Sequence, residues 1–228
     1  MKEITIDSLE SFLSELYIYA DFDCFRGQSS VDYRLIPSIG RLYRPDRESS
    51  LLQFEKEIFD DFKRKYSLFT DVRPRNDMEF LFLAQHYGLP TRLLDWTFNP
   101  AIALYFACIS SKEKDGVVFH YVPRSYKHFD PSRDDVFSFP HMTNLRPVFT
   151  DVRYKNQNGL FFLYPRPWEE NLEDIYEKFI IRASAKSPIL AKLEKIGITR
   201  TFIMPLLDSL CAEIMDLHSK RYPYLGFQ

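Results

Sequence analysis

"AQHYGLPTRLLDWTFNPAIALYFAC", residues 84–108, packs a helix end, an extended run and a helix start into one stretch. Gly88 and Pro90 stop the helix predicted over "NDMEFLFLAQHYG". "LPTRLLDWT" reads as short and extended. Asn99 is a good N-cap and Pro100 a good first-turn residue, so "NPAIALYFACIS" predicts a new helix. Polar groups thread this otherwise apolar stretch: Gln85, His86, Arg92, Asp95, Trp96 and Thr97. Two readings are open. The groups line a ligand cleft, with Arg26 contributed from an earlier strand, or Arg92 and Asp95 form a buried pair beside a core tryptophan whose indole N–H is satisfied.

The totals narrow the classes. A chain of 228 residues with 45% hydrophobic and 16% aromatic residues can build a sizeable core. Its net charge of −2 argues against a general nucleic-acid-binding surface, which is normally basic. Cys24, Cys108 and Cys211 lack Cys-x-x-Cys spacing and sit among apolar neighbours, which suits reduced thiols. The opening "MKEITIDSLESF" carries acids where a secretory leader would be apolar. No apolar run approaches the length of a membrane span. The expectation is a cytoplasmic protein with no membrane partner.

Outward from residues 84–108, the pattern alternates helices and strands. "DSLESFLSELY" predicts a helix with Asp7 as N-cap and Leu9, Phe12, Leu13 and Leu16 at helical spacing, giving an N-terminal helical segment over 1–20. "CFRG" predicts a short strand running into a turn. Ser49 and Ser50 are expected to cap a helix through "LLQFEKEIFDDFKRKY", with Leu51, Phe54, Ile58 and Phe62 as its apolar stripe and its charges on a solvated face. "GVVFHYV", "GLFFLYP" and "YEKFIIRAS" predict strands, and "SPILAKLEKIG" and "PLLDSLCAEIMDLH" predict helices. Residues 124–158 are polar and irregular, so they read as a long loop. The sum is an α+β chain forming a single domain, with mixed helices and a small antiparallel sheet, either continuous or split.

The motifs "CFRGQSS", "YRLIPSIGRLYR", "QHYGLPTRLLDWT", "NPAIALYFA" and a late "GIT…PLLDSL" resemble the FRG domain family, named for its Phe-Arg-Gly signature. The resemblance spans roughly residues 20–215, which implies an FRG domain over 21–228 after the N-terminal helix. It implies a bacterial or phage-associated setting near defence or mobile elements, and carries no activity with it.

The order of elements is also similar to ADP-ribosyltransferases. There an aromatic-Arg-Gly strand is followed by a second strand, an Ala-x-x-Phe helix, and later a strand with a catalytic glutamate. This likeness implies an α+β ADP-ribosyltransferase-like fold and NAD as substrate. It implies that Arg26 holds the dinucleotide and Gly27 lets it approach the backbone. Gln85, Arg92, Trp96, Thr97 and Tyr105 would line the cofactor site, with Trp96 or Tyr105 stacking on the nicotinamide ring. Asp95 and Gln157 join Arg26 as the catalytic set. Gln157 stands where the family has its glutamate and brings no charge to an oxocarbenium-like centre. Asp95, Asp151 and Glu213 are the carboxylates that could replace it.

Two function classes lead, and a third, nucleic-acid binding through residues 124–158, trails because the chain is slightly acidic. One is an ADP-ribosyltransferase-like enzyme, a toxin or phage-defence effector with a protein or nucleic-acid acceptor and an antitoxin or defence partner. The other is a non-catalytic domain that binds a nucleotide or a protein. The five histidines show no metal spacing, so no metal site is expected, and no Gly-x-Ser-x-Gly elbow supports a hydrolase.

Overall fold

A strand buried at every one of its 6 positions has no solvent face, and Gly116–Tyr121 (β4) is such a strand. It has to lie inside a sheet covered on both sides. The structure, a computed structural model, describes residues 1–19, 22–123, 127–147 and 152–219. It places β4 between Cys24–Gln28 (β2) and Ile175–Ile181 (β7), antiparallel to both. Lys2–Ile6 (β1) runs parallel to β7 at one edge. On the other side the sheet continues through Leu93–Thr97 (β3), Gly159–Leu163 (β6) and Thr143–Leu145 (β5), giving the order β1-β7-β4-β2-β3-β6-β5.

The ladder is uneven. β2 pairs with β4 from Cys24 to Gln28, yet it registers with β3 only at Phe25 opposite Thr97. Past that point the two central strands part. The sheet is therefore continuous by hydrogen bonding but nearly divided into halves, β1-β7-β4-β2 and β3-β6-β5.

One face of the first half is covered by Leu9–Glu15 (α1), Pro100–Cys108 (α4) and Ala183–Lys195 (α6). Phe12, Phe25, Ile102, Leu104, Val118, Phe179 and Ile189 form its core. On the same face of the second half lie Glu48–Lys65 (α2), Asp77–His86 (α3) and Val152–Gln157 (α5), around Phe59, Leu81, Phe82, Leu93, Tyr154 and Phe161. The opposite face gathers Cys24, Leu94, Trp96, Phe119, Tyr121 and Phe162 beneath Leu35. Arg200–Ile203 (α7) and Leu207–Ser219 (α8) complete the described chain.

The contact of α4 with β2 is backbone on backbone. A Cβ built on Gly27 would sit 1.8 Å from the Ala103 carbonyl oxygen and 2.8 Å from the Ala107 nitrogen. Only glycine permits that approach. Asn99 caps α4 by accepting from the Ala101 N–H at 2.9 Å, and Pro100 fills the first turn, as the sequence predicts.

The α+β single-domain expectation holds, with a sheet of seven strands and one parallel pair. Several local expectations do not hold. Residues 2–6 are a strand rather than part of an N-terminal helix, because the chain edge pairs with β7. The cap of α1 is Ser8, locked in a reciprocal box with Ser11, and not Asp7. α2 starts before Ser49 and Ser50, with no side-chain cap. The stretch read as a loop over 124–158 contains β5 and α5, short elements whose shape comes from packing on β6 and α3.

Two predictions follow from the packing. Gly27→Ala should destabilise the protein by roughly 2–4 kcal/mol or block folding, since two backbones must separate to admit one methyl; urea unfolding followed by circular dichroism measures it. Stability should also fall as pH rises from about 9. Burial raises the Cys24 thiol above its ordinary 9.0, pushes Cys108 up to about 12, and raises the Tyr121 and Tyr164 phenols above 10.0. Above pH 9 the unfolded chain ionises these groups before the folded one does, so the folded state binds more protons and loses ground as pH rises. Tyr19, pushed up to about 12 by its hydrogen bond with Tyr176, and Tyr105, raised by burial, act the same way, as does Lys114 through its hydrogen bond with Asp32; burial lowers Lys186, which opposes the trend. Urea midpoints measured from pH 8 to 11 test the sign.

Candidate functional site

Strand alternation separates the residues that the sequence groups together. Arg26 is opposite Phe119, so its side chain leaves β2 on the face of Trp96 and Phe162. Gly27 turns its missing side chain to α4, on the other face. Its space is filled by protein backbone, which removes the reading in which a dinucleotide approaches there.

Arg26 reaches into the opening where β2 and β3 part. Its Nη1 donates to the main-chain oxygen of Asp95 at 2.5 Å and lies 4.0 Å from the Asp95 Oδ2. The guanidinium caps a carbonyl that the missing β2–β3 ladder leaves unpaired. Arg26 Nε is buried with no hydrogen-bond partner among the described residues, although 15% of the side chain is exposed. Burial lowers the guanidinium pKa, Asp95 and Tyr164 act against that, and Arg41 adds to it. On the same face, Trp96 Nε1 is also buried and unpartnered, and so is Gln28 Oε1. The Asp95 side chain itself is 63% exposed.

The second arginine has another fate. Arg92 is 1% exposed, and its Nε and Nη2 fork onto Glu55 of α2, at 3.0 and 2.5 Å. Nη1 donates to the carbonyls of Phe137 and Val136, and the guanidinium lies 4.9 Å from the Phe137 ring centre. Every arm is used, so Arg92 clamps α2 and the 136–137 segment to the start of β3. It pairs with neither Asp95 nor a shared cleft. Gln85 is occupied close by, accepting from the Thr91 hydroxyl.

The remaining candidates scatter. Thr97 Oγ1 donates to the Gln157 carbonyl at 2.6 Å and accepts from the Asn99 N–H at 3.0 Å, tying β3 to α5 and α4. Gln157 ends α5 rather than sitting on a strand, and its Nε2 donates to the Ile203 carbonyl of α7 at 3.0 Å. Trp96 is packed between Tyr121 and Phe162 in the core. Tyr105 is buried on α4, across the sheet from Arg26. Glu213 accepts from the Thr201 hydroxyl at 2.7 Å, and Asp151 lies outside the described residues. The structure thus brings Arg26 to Asp95, with Trp96 on the Arg26 face, joins Thr97 to the Gln157 main chain, and leaves Gln85, Arg92 and Tyr105 away from Arg26.

Two polar features escape the sequence reading. Glu55 has a signal there: with Leu51 and Phe59 it forms the buried i, i+4, i+8 stripe of α2, displacing the expected one, while Phe54 is 42% exposed. The other is a buried cluster in which His120 Nε2 lies 3.1 Å from Asp23 Oδ2 and its Nδ1 lies 3.5 Å from Glu177 Oε2. Tyr19 and Phe25 stack on the imidazole. Its three members come from distant positions, with no local pattern. Among the described residues no cluster of His, Cys, Asp or Glu could hold a metal ion.

Cavities of about 1010, 330 and 310 Å³ lie at the α2–α3 side, between α3 and Tyr154, and around Phe129 and Arg146; Arg26, Asp95 and Trp96 line none of these. The Arg26 site lies where β2 and β3 part.

Breaking the clamp from one side should be costly. Arg92→Met alone leaves Glu55 buried without a cation and is expected to lose about 3–5 kcal/mol, while the double variant Arg92→Met, Glu55→Leu should recover most of it. A thermodynamic cycle from urea unfolding reads both.

No helix among the described residues is long and apolar enough to cross a membrane. No curated protein and no solved structure matches the chain. Residues 23–116, which hold β2, the Arg92–Glu55 pair, the Arg26–Asp95 opening and α4, match the family model of the FRG domain.

Proposed function

We propose that the protein binds a dinucleotide, NAD in the first instance, at the opening between β2 and β3, and holds it without cleaving it. The observation that carries this reading is Arg26 Nε, a buried guanidinium donor with no partner among the described residues, beside an exposed edge of the same side chain. A phosphate oxygen is the acceptor that best completes such a fork. Arg41 is close enough to add positive potential, and the exposed Asp95 carboxylate could accept from a ribose hydroxyl.

Binding without cleavage is preferred because the residue aligned with the transferase glutamate, Gln157, has no charge and spends its amide on Ile203. A second reading, an ADP-ribosyltransferase-like effector in a bacterial or phage-defence setting, is favoured by one observation. Asp95 is an exposed carboxylate 4.0 Å from Arg26, able to stand near a developing oxocarbenium centre.

Calorimetry with NAD and nicotinamide release followed by chromatography separate the readings. Arg26→Gln, checked for folding by circular dichroism, is expected to weaken NAD binding about 10- to 100-fold, with no nicotinamide released by either protein. Nicotinamide release that disappears in Asp95→Asn would replace the binding reading with the enzyme. A folded wild type that does not bind NAD would leave Arg26 as a brace for the Asp95 carbonyl.

A further inference from the structure

α2 buries one edge and leaves another unusually apolar. Phe54, Ile58, Phe62, Tyr66, Phe69 and Leu83 surround an open groove of about 1010 Å³ between α2 and α3. The apolar surface runs past the groove. Leu68 is 80% exposed, Phe69 85% and Tyr87 67%. Large contiguous apolar patches on a folded surface mark places that something else covers. A small molecule would fill the groove and leave Leu68 in water, so the extent of the surface favours a polypeptide.

The charges at the rim choose among polypeptides. Glu57, Asp60, Asp61, Arg64 and Lys65 all line the groove. Asp61 already holds both cations, Arg64 in direct contact and Lys65 at 3.0 Å. Glu57 and Asp60, on adjacent turns of α2, have no cationic partner among the described residues; Glu57 accepts only from Gln53, at 2.8 Å. The rim therefore offers two carboxylates with no cation and no cation without a carboxylate. The geometry points to α2–α3 as the docking groove for a partner helix that carries large apolar side chains along one stripe and Lys or Arg beside it. Its apolar stripe lies along Phe62 and Phe69, as in other helix-in-groove complexes, while its basic residues meet Glu57 and Asp60. The groove is lined by none of the Arg26 opening's residues, so this inference stands apart from nucleotide binding.

The test uses the full chain and three synthetic peptides of about 18 residues, long enough for several helical turns. One has leucine at helical spacing with lysine elsewhere; the second has glutamate in place of lysine; the third has the lysine composition scrambled so that no stripe forms. Fluorescence anisotropy is read for wild type, for Glu57→Lys with Asp60→Lys, and for Phe69→Asp. All three substituted positions lie on the groove wall, and circular dichroism checks the fold. The lysine peptide is expected to bind wild type at least about tenfold tighter than the other two. Charge reversal should invert the preference toward the glutamate peptide, and Phe69→Asp should weaken binding of both. The assignment is overturned if the lysine peptide does not bind, if the scrambled peptide binds equally well, or if charge reversal leaves the preference unchanged.

Discussion

The backbone of α4 lies against β2 with no room for a side chain at position 27. That contact sets most of what surrounds it. It presses the Ala103–Ala107 side of α4 to the sheet, so α4 must start where Asn99 and Pro100 start it. The start of α4 is held in turn by Thr97, which also binds α5 through the Gln157 carbonyl. With Gly27 turned to the helix, strand alternation sends Arg26 to the opposite face, and there it meets the place where β2 and β3 separate.

The two arginines of the Phe-Arg-Gly and Thr-Arg-Leu stretches show how context assigns a role to one residue type. Arg92 is enclosed, and its fork is completed by Glu55 and two carbonyls. A buried cation needs that complete set, because an unpaired charge in the interior costs several kcal/mol. Arg26 is held by a main-chain oxygen at one arm and, among the described residues, by nothing at Nε. An incomplete set beside solvent is where a ligand can add an interaction that the fold does not supply. The difference is one of partner count, and it separates the structural clamp from the proposed binding group.

α2 links these features. Its inward edge carries Glu55 to the clamp, while Glu57 and Asp60 stand on the groove wall, so one helix serves the core and an exposed surface by rotation alone. The proposed nucleotide opening and the proposed docking groove are thus carried by the same brace. A helix anchored by a buried ion pair is a rigid platform for a partner, since its position is over-determined by the core behind it.

Much of the fold was legible in the residues. Asn99-Pro100 located α4, Gly88, with φ +91°, closed the helix before β3, and apolar runs located β4, β6 and β7. These signals are local: caps, φ preferences and burial act over a few residues. β1, β5 and α5 were not legible, since short elements take their shape from the strand or helix they pack on. The site was legible only in part. Arg26 and Asp95 stood out as polar groups in apolar runs, but their meeting depends on a ladder that stops after one pair. Glu55 as the partner of Arg92, and Asp23 and Glu177 around His120, are long-range choices. The sequence by itself determined which residues had to be buried, capped or turned; the tertiary structure decided which polar groups met, because a buried charge is satisfied by whatever partner the packing brings within reach, however distant in the chain.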